Sequence, residues 1–141
     1  MTVLLADQAA DDVEEILVAW FTPVRRSAVE RVTGDPLPFT AIVHVAGSEN
    51  VDEGTAAPIV SVHTFTDKAL GRVNLKTETQ TSHSRMLRLA THCDVITLKS
   101  GRKVGVDYVD VVESPLYMPY GDDQILRKVG RYEVGLTYVP A

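Results

Sequence analysis

Residues 58–93 read PIVSVHTFTDKALGRVNLKTETQTSHSRMLRLATHC, a strand pattern followed by a helix pattern. The run from Ile59 to Phe65 is rich in β-branched and aromatic side chains, which predicts a strand. A helix is then predicted from near Asn74 to near His92. One stripe of this helix repeats at about 3.6 residues per turn. Its members are Leu75, Thr79, Ser82, Met86, Leu89, Ala90 and Cys93.

The stripe on this second helix is only half apolar. Between Lys76 and Ser84 the sequence has no apolar side chain. Because a surface helix is held mainly by burial of an apolar face, a face this polar gains little from its own core. The sequence therefore predicts that the helix is either poorly buried or completed by a partner outside this chain.

The remaining pattern predicts a single domain over 1–141 of class α+β, with two helices on one face of a mainly antiparallel sheet. The first helix is predicted over 7–22, and the clustered carboxylates at its start are explained by the helix dipole. A β-bulge is predicted near Tyr108, where the apolar alternation changes phase. Strands are predicted at 39–45, 59–65, 94–98, 104–112 and 131–138.

Two segments are predicted to be mobile loops. Residues 46–57 are polar, acidic and rich in Gly, and residues 114–124 are rich in Pro and Tyr. In the second segment Tyr117, Met118 and Tyr120 are of residue types that often anchor protein interfaces. An equally good interpretation is that these three side chains fold back on the core.

The charges are unevenly distributed along the chain, whose net charge is −5. Residues 67–103 carry eight Lys or Arg against three Asp or Glu, and the remainder carries six against sixteen. This pattern indicates either a solvated surface or a self-complementary one, in which a basic part of one copy meets an acidic part of the next. The acidic balance argues against non-specific nucleic-acid binding.

No catalytic motif is apparent, and the candidate reactive groups are few. The single cysteine, Cys93, excludes an internal disulfide framework, and its neighbour His92 points about 100° away on a helix. His44 and His63 come close together only if their strands pair in a suitable register, and a metal site needs further ligands. The chain also has no apolar run long enough to span a membrane. We therefore expect no enzyme activity, cofactor or metal site, and no membrane segment.

Taken together, several segments resemble the tail terminator, or tail-completion, proteins of long-tailed (siphovirus) bacteriophages. An acidic first helix reaches Trp20, and a Pro36-Leu-Pro-Phe39 turn enters a strand that ends at Ala46-Gly47. Further along come Val60-Ser-Val62, the helical His83-Ser-Arg-Met-Leu87 and the closing Tyr132-Glu-Val134 strand. The resemblance covers nearly the whole chain and rests on patterns without a catalytic signature.

The resemblance implies a non-enzymatic virion protein at the junction of tail and neck, assembled in the bacterial cytoplasm. Such proteins form a homohexameric ring that caps the tail tube, ends tail elongation and provides the head–tail joining surface. The implied partners are other copies, the major tail tube protein and a head-completion or neck protein. No specific DNA binding is implied, although DNA passes through the ring.

Two alternatives stay open: a head-closure, neck or other minor tail protein, and a small α+β enzyme or ligand-binding domain that uses His44, His63 or Cys93. Charge and exposure, rather than the resemblance, select nine candidate interface residues. They are Lys76, Arg85, Arg88, Glu49, Asp52, Glu53, Tyr117, Met118 and Tyr120.

Overall fold

The strand predicted at 59–65 is the middle strand of a five-stranded sheet in the computed structural model, which describes residues 8–92 and 95–140. The helices are α1 (Val13–Phe21) and α2 (Gly71–His92), with a 3-10 turn at Lys68–Leu70 before α2. The strands are β1 (Gln8–Ala9), β2 (Arg26–Ala28), β3 (Phe39–Asn50), β4 (Thr55–Asp67), β5 (Ile96–Thr97), β6 (Lys103–Val104), β7 (Tyr108–Tyr117), β8 (Ile125–Thr137) and β9 (Val139–Pro140).

The main sheet has the order β2-β3-β4-β8-β7. All its pairs are antiparallel except β2 with β3, which run parallel over three residues. Both helices pack against one face, so the predicted α+β class with a mainly antiparallel sheet is confirmed. The predicted pairing of the two strands before α2, and of the last strand with the one before it, is also confirmed.

The main core lies between the helices and the sheet. Alternate residues of β8 point into it, as the sequence pattern predicts, because side chains along a strand alternate between faces. A smaller cluster lies on the opposite face, where Phe39, Phe65 and Ile125 are buried and Tyr120 packs against them. The most buried large side chains of the main core are Tyr132, Phe21, Ile16, Leu17, Ile42, Met86 and Leu89.

Three predicted boundaries are corrected by the structure. α1 begins at Val13 and not near residue 7, because Asp12 caps it by accepting a hydrogen bond from the Glu14 amide at 2.9 Å. α2 begins at Gly71, three residues before the predicted start. The register irregularity of β7 lies between Val111 and Leu116 and not at Tyr108.

The segment predicted as a loop at 46–57 is instead the end of a long hairpin. β3 extends to Asn50 and β4 begins at Thr55, so a four-residue turn joins them. Gly47 permits this extension, because it has φ of 133° and a Cβ there would come within 2.5 Å of the Pro58 backbone. We call residues 46–58 the hairpin end. At 114–124, β7 continues to Tyr117, and residues 118–124 connect it to β8.

Candidate assembly surfaces

The underside of α2 is attached to the rest of the chain by polar contacts. Arg25, which follows α1, has a side chain only 5% exposed and donates to the Glu78 carboxylate at 2.8 Å. It also donates to Ser82 Oγ at 3.0 Å, and Thr64 Oγ1 from β4 donates to the same hydroxyl at 2.8 Å. Burial lowers the pKa of Arg25, and the nearby Glu78 partly offsets this. Hydrogen bonds therefore replace apolar contacts where the helix sequence is polar.

Two further contacts fix α2 in place. The Trp20 indole donates to the Arg85 carbonyl at 3.0 Å, and the Arg85 guanidinium donates to the Trp20 carbonyl at 2.7 Å while lying 3.5 Å from its ring. On the sheet side, His83 Nδ1 and the Tyr132 hydroxyl are hydrogen-bonded at 2.7 Å. Burial raises the pKa of Tyr132. These contacts join α1, α2 and β8.

The prediction that α2 is poorly buried or completed by an outside partner is therefore wrong for its stripe. Leu75, Thr79, Ser82, Met86 and Leu89 are all buried within this chain. The helix pattern identified the stripe correctly. It missed the polar partners because Arg25 and Thr64 are distant in sequence and come from elements whose packing the sequence does not specify.

Exposed apolar side chains instead concentrate along β7 and the start of α2. The two elements touch there, where the Arg72 guanidinium lies 4.1 Å from the Tyr117 ring. Val73 is 81% exposed, Leu70 63% and Leu116 56%. We call this group of residues the β7 side; it consists of Leu70, Val73, Val111, Val112, Leu116, Tyr117 and Met118. The register places Tyr117 on the sheet face that carries α2 and Leu116 on the opposite face.

A second, smaller group of exposed apolar side chains lies at the other edge of the sheet. β2 is the outer neighbour of β3 but covers only its first three residues. Valines in and around the chain segment that carries β2 remain exposed, with Val32 at 54%. We call this surface the β2 side; it consists of Val24, Val29, Val32 and Val45.

The hairpin end is bordered by carboxylates that hydroxyl groups hold in place. Tyr108 donates to Glu133 at 2.7 Å, and Tyr138 donates to Glu49 at 2.7 Å. These bonds, chiefly, raise the pKa of Tyr108 to about 12 and raise that of Tyr138. An open depression of about 630 Å³ lies beside them, and Asp52 is part of its lining. The lining of this depression is therefore acidic.

Three basic residues lie at the opposite end of β4. Lys68 is exposed in the 3-10 turn that follows β4, and Arg72 and Lys76 are exposed in the first turns of α2. Since β4 has 13 residues, it separates the two ends by roughly 40 Å. Both ends carry charges of both signs, because Arg102 and Lys103 lie beside Asp107 near the hairpin end, and Asp122 and Asp123 are exposed in the turn next to Lys68.

The histidines do not form a common site. His44 pairs with Val60 and His63 with Ala41, which places the two imidazoles on opposite faces of the sheet. His63 bonds Ser61 at 3.0 Å and stacks on Phe65. His44 borders an open depression of about 560 Å³ beside the start of α1, and its backbone amide donates to Glu14. Cys93 lies outside the described residues.

Over residues 8–92 and 95–140, no three His, Cys, Asp or Glu side chains are arranged so that they could hold a metal ion. Within the same residues, neither helix combines the length and the apolar character needed to cross a membrane.

The basic and acidic interface candidates divide between solvent and the interior. Lys76 is exposed on α2, and Asp52 and Glu53 are exposed at the hairpin turn. Glu49 is exposed but engaged by Tyr138. Arg85 is half-buried against Trp20, and its geometry assigns it to holding the helices together. Arg88 is exposed and has interactions within the chain.

The three interface candidates from the Pro- and Tyr-rich segment also differ in their exposure to solvent. Tyr117 and Met118 are about 40% exposed and belong to the β7 side. Tyr120 turns inward, with its ring 4.9 Å from that of Phe65 and the Arg127 guanidinium stacked above it. Val73 and Leu70 were missed by the sequence analysis. Their only sequence signal is that both are apolar: Val73 lies off the buried stripe of α2, and Leu70 lies in the turn before this helix.

No protein-family model and no curated protein matches this chain.

Proposed function

We propose that this chain is a structural, ring-forming protein of the tail terminator type from a long-tailed bacteriophage. The observation that carries the proposal is the exposure of large apolar side chains on β7 and around the start of α2, two elements that touch where Arg72 lies over the Tyr117 ring. Exposed apolar side chains gathered in one region of a folded domain are typical of a contact with another macromolecule. Their location on β7 and the start of α2, both anchored to the core, offers a surface that needs no rearrangement to bind.

In this role, copies of the chain assemble into a ring, hexameric by the resemblance, that caps the finished tail tube. The ring then presents a surface to the head-completion or neck protein, while DNA passes through its opening. The acidic depression at the hairpin end and the exposed cations Arg72 and Lys76 of α2 support such a two-sided role, since they offer chemically different groups to two partners. No catalytic step belongs to this function.

Electron microscopy of the purified full chain, combined with light scattering over a concentration series, tests the proposal. We expect rings of one discrete mass, formed either by the free protein or on addition of tail tubes. When tubes are present, density is expected at one tube end only. A protein that stays monomeric and leaves tube ends bare contradicts the proposal. Rings that bind neck assemblies but not tubes favour the head-closure alternative.

A further inference from the structure

We draw no further inference here: the strongest candidate, the group of exposed apolar side chains on β7 and around the start of α2, is divided between the two faces of the sheet and interrupted by the exposed Asp110 and Glu113, and nothing in the structure shows what covers it.

Discussion

The buried underside of α2 is polar, and the solvent-exposed β7 side is apolar. This is the reverse of the usual arrangement, in which buried side chains are apolar and exposed ones polar. Beneath α2, inside the molecule, Arg25, Ser82 and Thr64 form a hydrogen-bonded layer. On the β7 side, in solvent, Val73 and Leu116 are more than half exposed. The two surfaces come from adjacent parts of the same helix and sheet.

Hydrogen bonds beneath α2 hold the chain together, whereas the apolar side chains of the β7 side contribute little to the fold. Buried polar groups that are hydrogen-bonded to each other, such as Ser82 with Arg25 and Thr64, favour one position for the helix. Exposed apolar groups gain free energy only when something covers them. The polar stripe is therefore an internal attachment here, and the exposed apolar residues off the stripe are the ones that we propose a partner covers.

Replacing Arg25 should have the largest effect. Arg25→Met removes the cation from a buried pair, leaves the Glu78 carboxylate without its donor and takes away one of the two donors to Ser82, so we expect the free energy of unfolding to fall by about 2 to 3 kcal/mol. The control is Arg26→Met, because the Arg26 side chain is 65% exposed. Urea titrations measure both. If the two variants unfold at the same urea concentration, the polar layer does not hold α2.

A pair of threonines on β4 tests the hydrogen bonds one at a time. Thr64 donates to Ser82, whereas the buried Thr66 hydroxyl has no hydrogen-bond partner among the residues that the structure describes. We expect Thr64→Val to destabilise by about 1 to 2 kcal/mol and Thr66→Val to be neutral or stabilising. Thermal and urea unfolding of the two variants measure the difference. Equal losses of stability in the two variants would show that packing of the side chains, and not hydrogen bonding, determines the contribution of both threonines.

Lowering the pH should reduce the free energy of unfolding through His63, which lies on the sheet face opposite α2. Burial, with Arg127 and Arg131 nearby, lowers the pKa of His63 from 6.5 to about 4. Between these values the unfolded chain binds a proton that the folded chain does not, so the free energy of unfolding falls as the pH falls. For this partly exposed group we expect about 1 to 2 kcal/mol.

The comparison for this effect is His63→Gln, which cannot titrate. Urea unfolding at pH 7, 5.5 and 4.5 should show a smaller loss in the variant, since both proteins share the same carboxylates. If both proteins lose the same stability as the pH falls, groups other than His63 cause the acid sensitivity.

The smallest effect on folding should come from the β7 side. Val73→Ser should change the free energy of unfolding by less than about 0.5 kcal/mol, because the side chain is 81% exposed. The same change should weaken self-association, measured by light scattering over a concentration series. Leu87→Ser is the matched control and should leave association unchanged. Loss of folding stability with unchanged association would reverse the roles assigned to the two surfaces.

Short-range pattern determined much of this protein. The alternation in β8, the stripe on α2 and the apolar face of α1 each follow from a local period, so their buried faces were predictable. The antiparallel hairpin of β3 and β4 followed from adjacency in the chain. Gly47 is the local exception: a glycine-rich, acidic segment favoured a loop, yet here the glycine lets two strands continue.

Only the tertiary structure decided how distant residues meet. It brings Arg25 under α2, places His44 and His63 on opposite faces, turns Tyr120 inward and leaves Val73 in solvent. The physical reason is that hydrogen bonding and burial depend on which elements pack together. A local period shows that a helix has two faces, but the partner that covers each face comes from elsewhere in the chain.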